Sequence, residues 1–169
     1  MTISLRNRLP KFNFVPFSKK QLQLLTWWTH GSPFRTFDIV VADGSIRSGK
    51  TVSMALSFSL WAMSEFNGQN FAICGKTIHS ARRNVIQPLK QMLTNRGYEI
   101  RDVRNENLLI IRHFRDGEEI LNYFYIFGGK DESSQDLIQG VTLAGIFCDE
   151  VALMPESFVN QATGRCSVT

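Results

Sequence analysis

The chain has 169 residues, 43% of them apolar, a formal charge of +4 at neutral pH and a pI ≈ 9.1. That length suits one domain with a sizeable core, and the apolar content is ordinary for a soluble globular protein. The longest apolar run, Val52–Met63, falls short of the ~20 residues a bilayer span needs, and residues 1–20 lack the hydrophobic region of a signal peptide, so a cytoplasmic protein without a membrane segment is expected.

Residues 1–16, with Pro10 and Pro16, read as an extended arm pinned by Phe12, Phe14 and Phe17. Ser18 reads as the N-cap of a helix over 19–29 carrying Leu22, Leu25 and Trp28 at helical spacing, ended by Gly31-Ser32-Pro33. Phe37-Asp38-Ile39-Val40-Val41-Ala42 is short, apolar and β-branched, and predicts a buried strand. Val52–Met63 is free of glycine and proline and predicts a helix.

Between that strand and helix stands Gly44-Ser45-Ile46-Arg47-Ser48-Gly49-Lys50-Thr51, which fits the phosphate-loop pattern G-x-x-x-x-G-K-[ST]. Gly44 and Gly49 permit backbone conformations that a Cβ would block. Backbone N–H groups can then face phosphate oxygens, aided by the positive end of the helix. Lys50 would reach the β- and γ-phosphates, and the Thr51 hydroxyl would bind Mg²⁺.

Downstream, Asn67-Gly68 predicts a turn, Phe71–Gly75 a second buried strand, and Ile78–Leu93 a helix with a kink or boundary at Pro88. Tyr98–Val103, Leu108–Phe114 and Ile120–Phe127 predict strands, the last two joined in a hairpin through Asp116-Gly117. Gly128-Gly129-Lys130 reads as a loop start. Cys74, Cys148 and Cys166 form no C-x-x-C pair and read as reduced thiols. His30, His79 and His113 show no metal spacing. Lys76, His79, Arg82 and Arg83 make a basic cluster that would either touch DNA phosphates or form a solvated helix face.

Leu143–Cys148 is a hydrophobic strand that ends in Asp149-Glu150. With an upstream phosphate loop, Asp149 would hold Mg²⁺ and Glu150 would act as general base on the attacking water. A surface acidic pair is the alternative.

These stretches, with Lys76-Thr77, Ile138-Gln139-Gly140 and Val151, resemble the N-terminal ATPase domain of the large terminase subunit of tailed bacteriophages over residues 17–169. The resemblance implies a P-loop, RecA-like α/β fold with a mainly parallel central sheet flanked by helices, incomplete at the C-terminus. It implies an ATP- and Mg²⁺-dependent motor that moves double-stranded DNA into a procapsid in the host cytoplasm. Its implied partners are the portal protein, the small terminase subunit and further copies in a ring. By position, Gln21 resembles the adenine-reading glutamine, and a solvated helix glutamine is the alternative. Arg47 matches a loop arginine able to neutralise charge on the γ-phosphate; a solvated arginine is again the alternative. Gln139 stands where many relatives carry arginine. The family's C-terminal nuclease is not expected from these residues, and the chain reads as a fragment. A helicase or repair-type DNA-dependent ATPase, and a non-catalytic ATP-binding assembly module, are the alternative functions.

Overall fold

A computed structural model describes residues 16–45, 48–130, 138 and 140–167. The arm expected over 1–16 therefore lies outside the described residues apart from Pro16. Ser18 opens α1 (Lys19–Thr26) with a reciprocal cap: Ser18 Oγ accepts from the Gln21 backbone N–H, and Gln21 Oε1 accepts from the Ser18 N–H. The helix stops at Thr26, a turn earlier than expected. Ser57 Oγ donates to the Leu25 carbonyl at 3.1 Å, which fastens α1 to α2 (Lys50–Glu65).

The strands are β1 (Asn70–Gly75), β2 (Glu99–Val103), β3 (Leu108–Arg115), β4 (Glu118–Gly128) and β5 (Gly145–Cys148). They form one sheet in the order β2-β3-β4-β1-β5. The sheet is mixed. β4, β1 and β5 run parallel, and β2 and β3 extend it antiparallel on the far side. Asp116 and Gly117 join β3 to β4 with φ of 52° and 85°, the left-handed pair that suits a tight hairpin.

Alternate residues of β1 face opposite layers. Phe71 and Ile73 pack with α2 residues such as Leu56 and Phe58; Ala72 and Cys74 pack with Phe158 and Ala162 of α5 (Glu156–Thr163). Helices thus cover both faces of the parallel half of the sheet, as parallel strands require. Phe71 stacks on Phe124 at 5.1 Å, and Phe58 meets Phe71 edge-on at 5.8 Å. Gly145 admits the Trp61 ring: a Cβ there would lie 2.7 Å from Trp61 Cζ3.

The helix expected over 78–93 is three pieces: α3 (Ile78–Ala81), a π-helical turn (Arg82–Ile86) and α4 (Gln87–Thr94). The Gln87 N–H reaches back to the Arg82 carbonyl, five residues away. Pro88 has no N–H to continue an α-helical ladder, and the wider turn precedes it.

The strand expected over 37–42 does not join the sheet. Ile39 and Val41 are 72% and 75% exposed, and the backbone of 38–42 makes no backbone–backbone hydrogen bond with a described residue. β-Branched composition favours a strand only where a neighbour supplies the ladder, and no described strand pairs with this segment. Among the described residues, the sheet continues beyond β5 as a bridge between Leu143 and Cys166.

Cys74 is buried, Cys148 half-buried and Cys166 exposed, and all three are free thiols. Cys74 and Cys148 are register neighbours on β1 and β5; the hydrogen bond to Cys148, then burial, pushes the Cys74 thiol up. No helix among the described residues is long and apolar enough to cross a membrane.

Candidate functional site

The parallel half of the sheet delivers its strand ends to one rim. There the ladder continues past β5, with the Asp149 N–H donating to the Cys74 carbonyl at 2.8 Å. Asp149 is thereby fixed at the carboxyl end of β5, where open parallel sheets hold ligands. The first turn of α2 faces the same rim. Thr51 Oγ1 donates to Asp149 Oδ1 at 2.8 Å. Burial pushes the Asp149 carboxyl above the ordinary aspartate range; the Thr51 hydrogen bond opposes this and the Glu150 charge adds to it.

Glu150 follows directly, exposed, with φ 56°. A left-handed glutamate is uncommon, and such backbone strain concentrates at functional sites. The conformation turns the chain from β5 into the 3₁₀ turn Val151–Leu153.

The glycine loop enters α2 through Gly49, whose φ of 76° suits glycine. Gly44 has φ 153°, and its N–H is met by Asp43 Oδ1 at 2.7 Å. The Lys50 ammonium lies against the loop's own oxygens, 2.5 Å from the Gly44 carbonyl, 2.7 Å from that of Ser45 and 3.4 Å from Ser48 Oγ. These are three hydrogen-bond acceptors that an anionic ligand would replace with stronger ones. Ile46 and Arg47 lie outside the described residues, as does Gln139.

Gln21 sits beside the loop rather than free on its helix. Its Nε2 donates to the Ser48 carbonyl at 2.8 Å while Oε1 serves the Ser18 cap. The signal for that second bond was present in Ser18-Lys19-Lys20-Gln21, which fits the capping-box pattern S-x-x-[EQ]. The bond to Ser48 had no local signal.

The basic cluster is divided. Arg82 donates to Asp102 Oδ1 at 3.0 Å and to Asn107 Oδ1 at 3.2 Å, and Lys90 reaches Asp102 Oδ2 at 2.9 Å. Arg82 therefore holds the helix to the β2–β3 strands. Lys76, His79 and Arg83 remain exposed.

Hydroxyl and carboxylate oxygens meeting at the mouth of a glycine loop are hard donors of the kind Mg²⁺ takes alongside phosphate oxygens. Among the described residues no group of three or more His, Cys, Asp or Glu could hold a metal alone. Thr51 and Asp149 thus fit an ion that arrives with a phosphate ligand, not a dedicated protein cage.

A glycine loop opening a helix, joined through its threonine to an aspartate on a parallel strand, places the chain in the P-loop, RecA-like class. The family described as terminase large subunit, T4likevirus-type, N-terminal, matches residues 41–165. The chain belongs to this large terminase family.

The large terminase of a thermophilic bacteriophage is 63% identical, with a TM-score of 0.85 over 91% of this chain and 37% of that one. The same phage protein in complex with ADP is matched at 61% identity and a TM-score of 0.82, over 90% of this chain and 36% of that one. In complex with ATP-γ-S the values are 58% and 0.81, over 90% and 36%. The ATPase domain of the Thermus phage P74-26 large terminase shares the fold, with a TM-score of 0.56 at 18% identity over 90% of this chain and 65% of that one. No curated protein matches the chain in sequence. The chain spans little more than a third of the length of the thermophilic phage terminase.

Proposed function

We propose that this chain binds ATP with Mg²⁺ and hydrolyses it as the motor domain of a phage terminase large subunit, driving double-stranded DNA into a procapsid. The observation that carries the reading is the Thr51–Asp149 bond beside Lys50 and Glu150. The complexes of the thermophilic phage terminase with ADP and ATP-γ-S support the choice of ligand.

In this reading the loop of Gly44, Ser45, Ile46, Arg47, Ser48, Gly49 and Lys50 cradles the phosphates. Lys50 exchanges loop carbonyls for β- and γ-phosphate oxygens. Thr51 and Asp149 would hold Mg²⁺, which would supply positive charge to offset that of the phosphates. Glu150, the exposed carboxylate that follows Asp149 in the chain, would accept a proton from the attacking water. Arg47 offsets charge developing on the γ-phosphate. Gln21 reads the adenine edge in the bound form, exchanging one of its present partners for the base. Portal, small terminase subunit and further copies in a ring would complete the machine in the host cytoplasm.

The test is ATP turnover by wild type, Lys50→Ala and Glu150→Gln with Mg²⁺, with and without double-stranded DNA. Expected are loss of binding in Lys50→Ala, and retained binding with turnover down at least about a hundredfold in Glu150→Gln, the scale of a lost general base. Turnover that survives in Glu150→Gln removes the mechanism. Lys50-dependent binding with no wild-type turnover favours the non-catalytic module.

A further inference from the structure

We infer that Gln21 is a positioning residue for the phosphate loop itself, acting through the Ser48 carbonyl and without any base bound. Its side-chain amide has two partners that fix its orientation. The Ser18 N–H needs an acceptor, so Oε1 faces it at 2.8 Å; the Ser48 carbonyl needs a donor, so Nε2 faces it at 2.8 Å. One side chain thus closes the cap of α1 and ties that cap to the loop.

The tie has a direction. The Ser48–Gly49 peptide group is planar and trans, so its carbonyl and N–H point opposite ways. Holding the carbonyl toward α1 turns the Gly49 N–H away from α1. Such N–H groups are what a phosphate loop offers to its ligand. Gly49 is constrained from the same side: a Cβ there would lie 2.8 Å from Gln21 Nε2. Gln21 thus packs against the point where the loop enters α2, while the φ of 76° is what favours glycine at position 49. α1 is itself held to α2 by the Ser57–Leu25 hydrogen bond, so the anchor is not a free arm.

This role, which rests on the reading above that the loop takes a polyphosphate, differs from adenine recognition in what it predicts. Amide exchange in the free protein separates the two, because the charge that Gln21→Glu adds beside the loop weakens binding of any polyphosphate by itself. Gln21→Glu keeps an acceptor for the Ser18 N–H, so the cap survives, and removes the donor to Ser48. Its affinity for ATP and for inorganic tripolyphosphate, each with Mg²⁺, is measured by calorimetry. Amide hydrogen exchange at residues 49–51 is followed in the free protein, with a thermal melt as the check on folding.

Expected is a protein that melts like wild type, binds both ligands about fivefold more weakly, the scale of one net hydrogen bond, and exchanges faster at residues 49–51. Weaker ATP binding with unchanged tripolyphosphate binding and unchanged exchange would overturn the inference and leave Gln21 as a base reader only. If wild type binds neither ligand, the ATP reading fails on its own, and the exchange rates in Gln21→Glu still decide whether the clamp exists. Should Gln21→Glu fold poorly, the same measurements are made on Gln21→Met, which removes the donor to Ser48 without adding charge; faster exchange at residues 49–51 is expected, and unchanged exchange there overturns the inference.

Discussion

Thr51 and Asp149 stand 98 residues apart in the chain and 2.8 Å apart in space. The hydroxyl is the donor, so the carboxylate has one hydrogen-bonded oxygen and is otherwise part-buried beside the charge of Glu150. That arrangement suits a cation and costs the ligand-free fold.

Burial raises the Asp149 pKa, so its stabilising contribution is complete below the unfolded value of about 4 and is lost as pH rises through the folded one. Asp149→Asn should therefore melt above wild type at pH 7 without nucleotide or divalent cation, and the gap should close toward pH 4. Thermal melts across that range check it. A lower melting temperature for the variant at pH 7 refutes the account.

Asp102 has the opposite sign. Burial alone would raise its pKa, but hydrogen bonds from Lys90 and Arg82 outweigh that and hold it below the ordinary range. Its contribution is present above the unfolded value and lost as pH falls through the folded one. With the side chain only 12% exposed, Asp102→Asn should cost about 2 kcal/mol at pH 7, and the difference should shrink in acid. Urea unfolding at pH 7 and pH 3 measures both.

Asn122 is fully buried on β4 and closes the end of α2. Its Nδ2 donates to the carbonyls of Ala62 at 3.1 Å and Phe66 at 2.9 Å, and its Oδ1 accepts from the Gln69 N–H at 2.9 Å. Asn122→Ala removes three hydrogen bonds at a fully buried side chain and should cost about 2–3 kcal/mol. A loss under about 0.5 kcal/mol in chemical denaturation would show that water replaces these bonds.

Gly145→Ala pushes a methyl group into the Trp61 ring, which has little room to retreat between Phe58 and Phe66. Overpacking of this kind costs about 1–3 kcal/mol. Tryptophan fluorescence and a denaturation curve should shift together; an unchanged curve means that the ring moves freely.

Much of the scaffold was legible from local signals. The turn at Asp116-Gly117, the apolar runs of β3 and β4, and the uninterrupted run of α2 state their own conformation, because turn chemistry and local composition act within a few residues. The glycine loop and the Asp149-Glu150 strand end were legible for the same reason, each being a short pattern with its own chemistry.

Tertiary structure alone decided which of these meet. Residues 37–42 have the composition of a strand, yet pair with no described strand, since a strand exists only where another backbone completes its ladder. Arg82 reads as a free cation and is held by Asp102; Asn122 reads as an ordinary polar residue and closes a helix. Gln21 reads as an adenine contact or a solvated helix glutamine, and in the free protein it is bonded to the loop. Local sequence determines backbone preference and the supply of polar groups. Which donor finds which acceptor is settled when packing desolvates both, and that partner can lie anywhere in the chain.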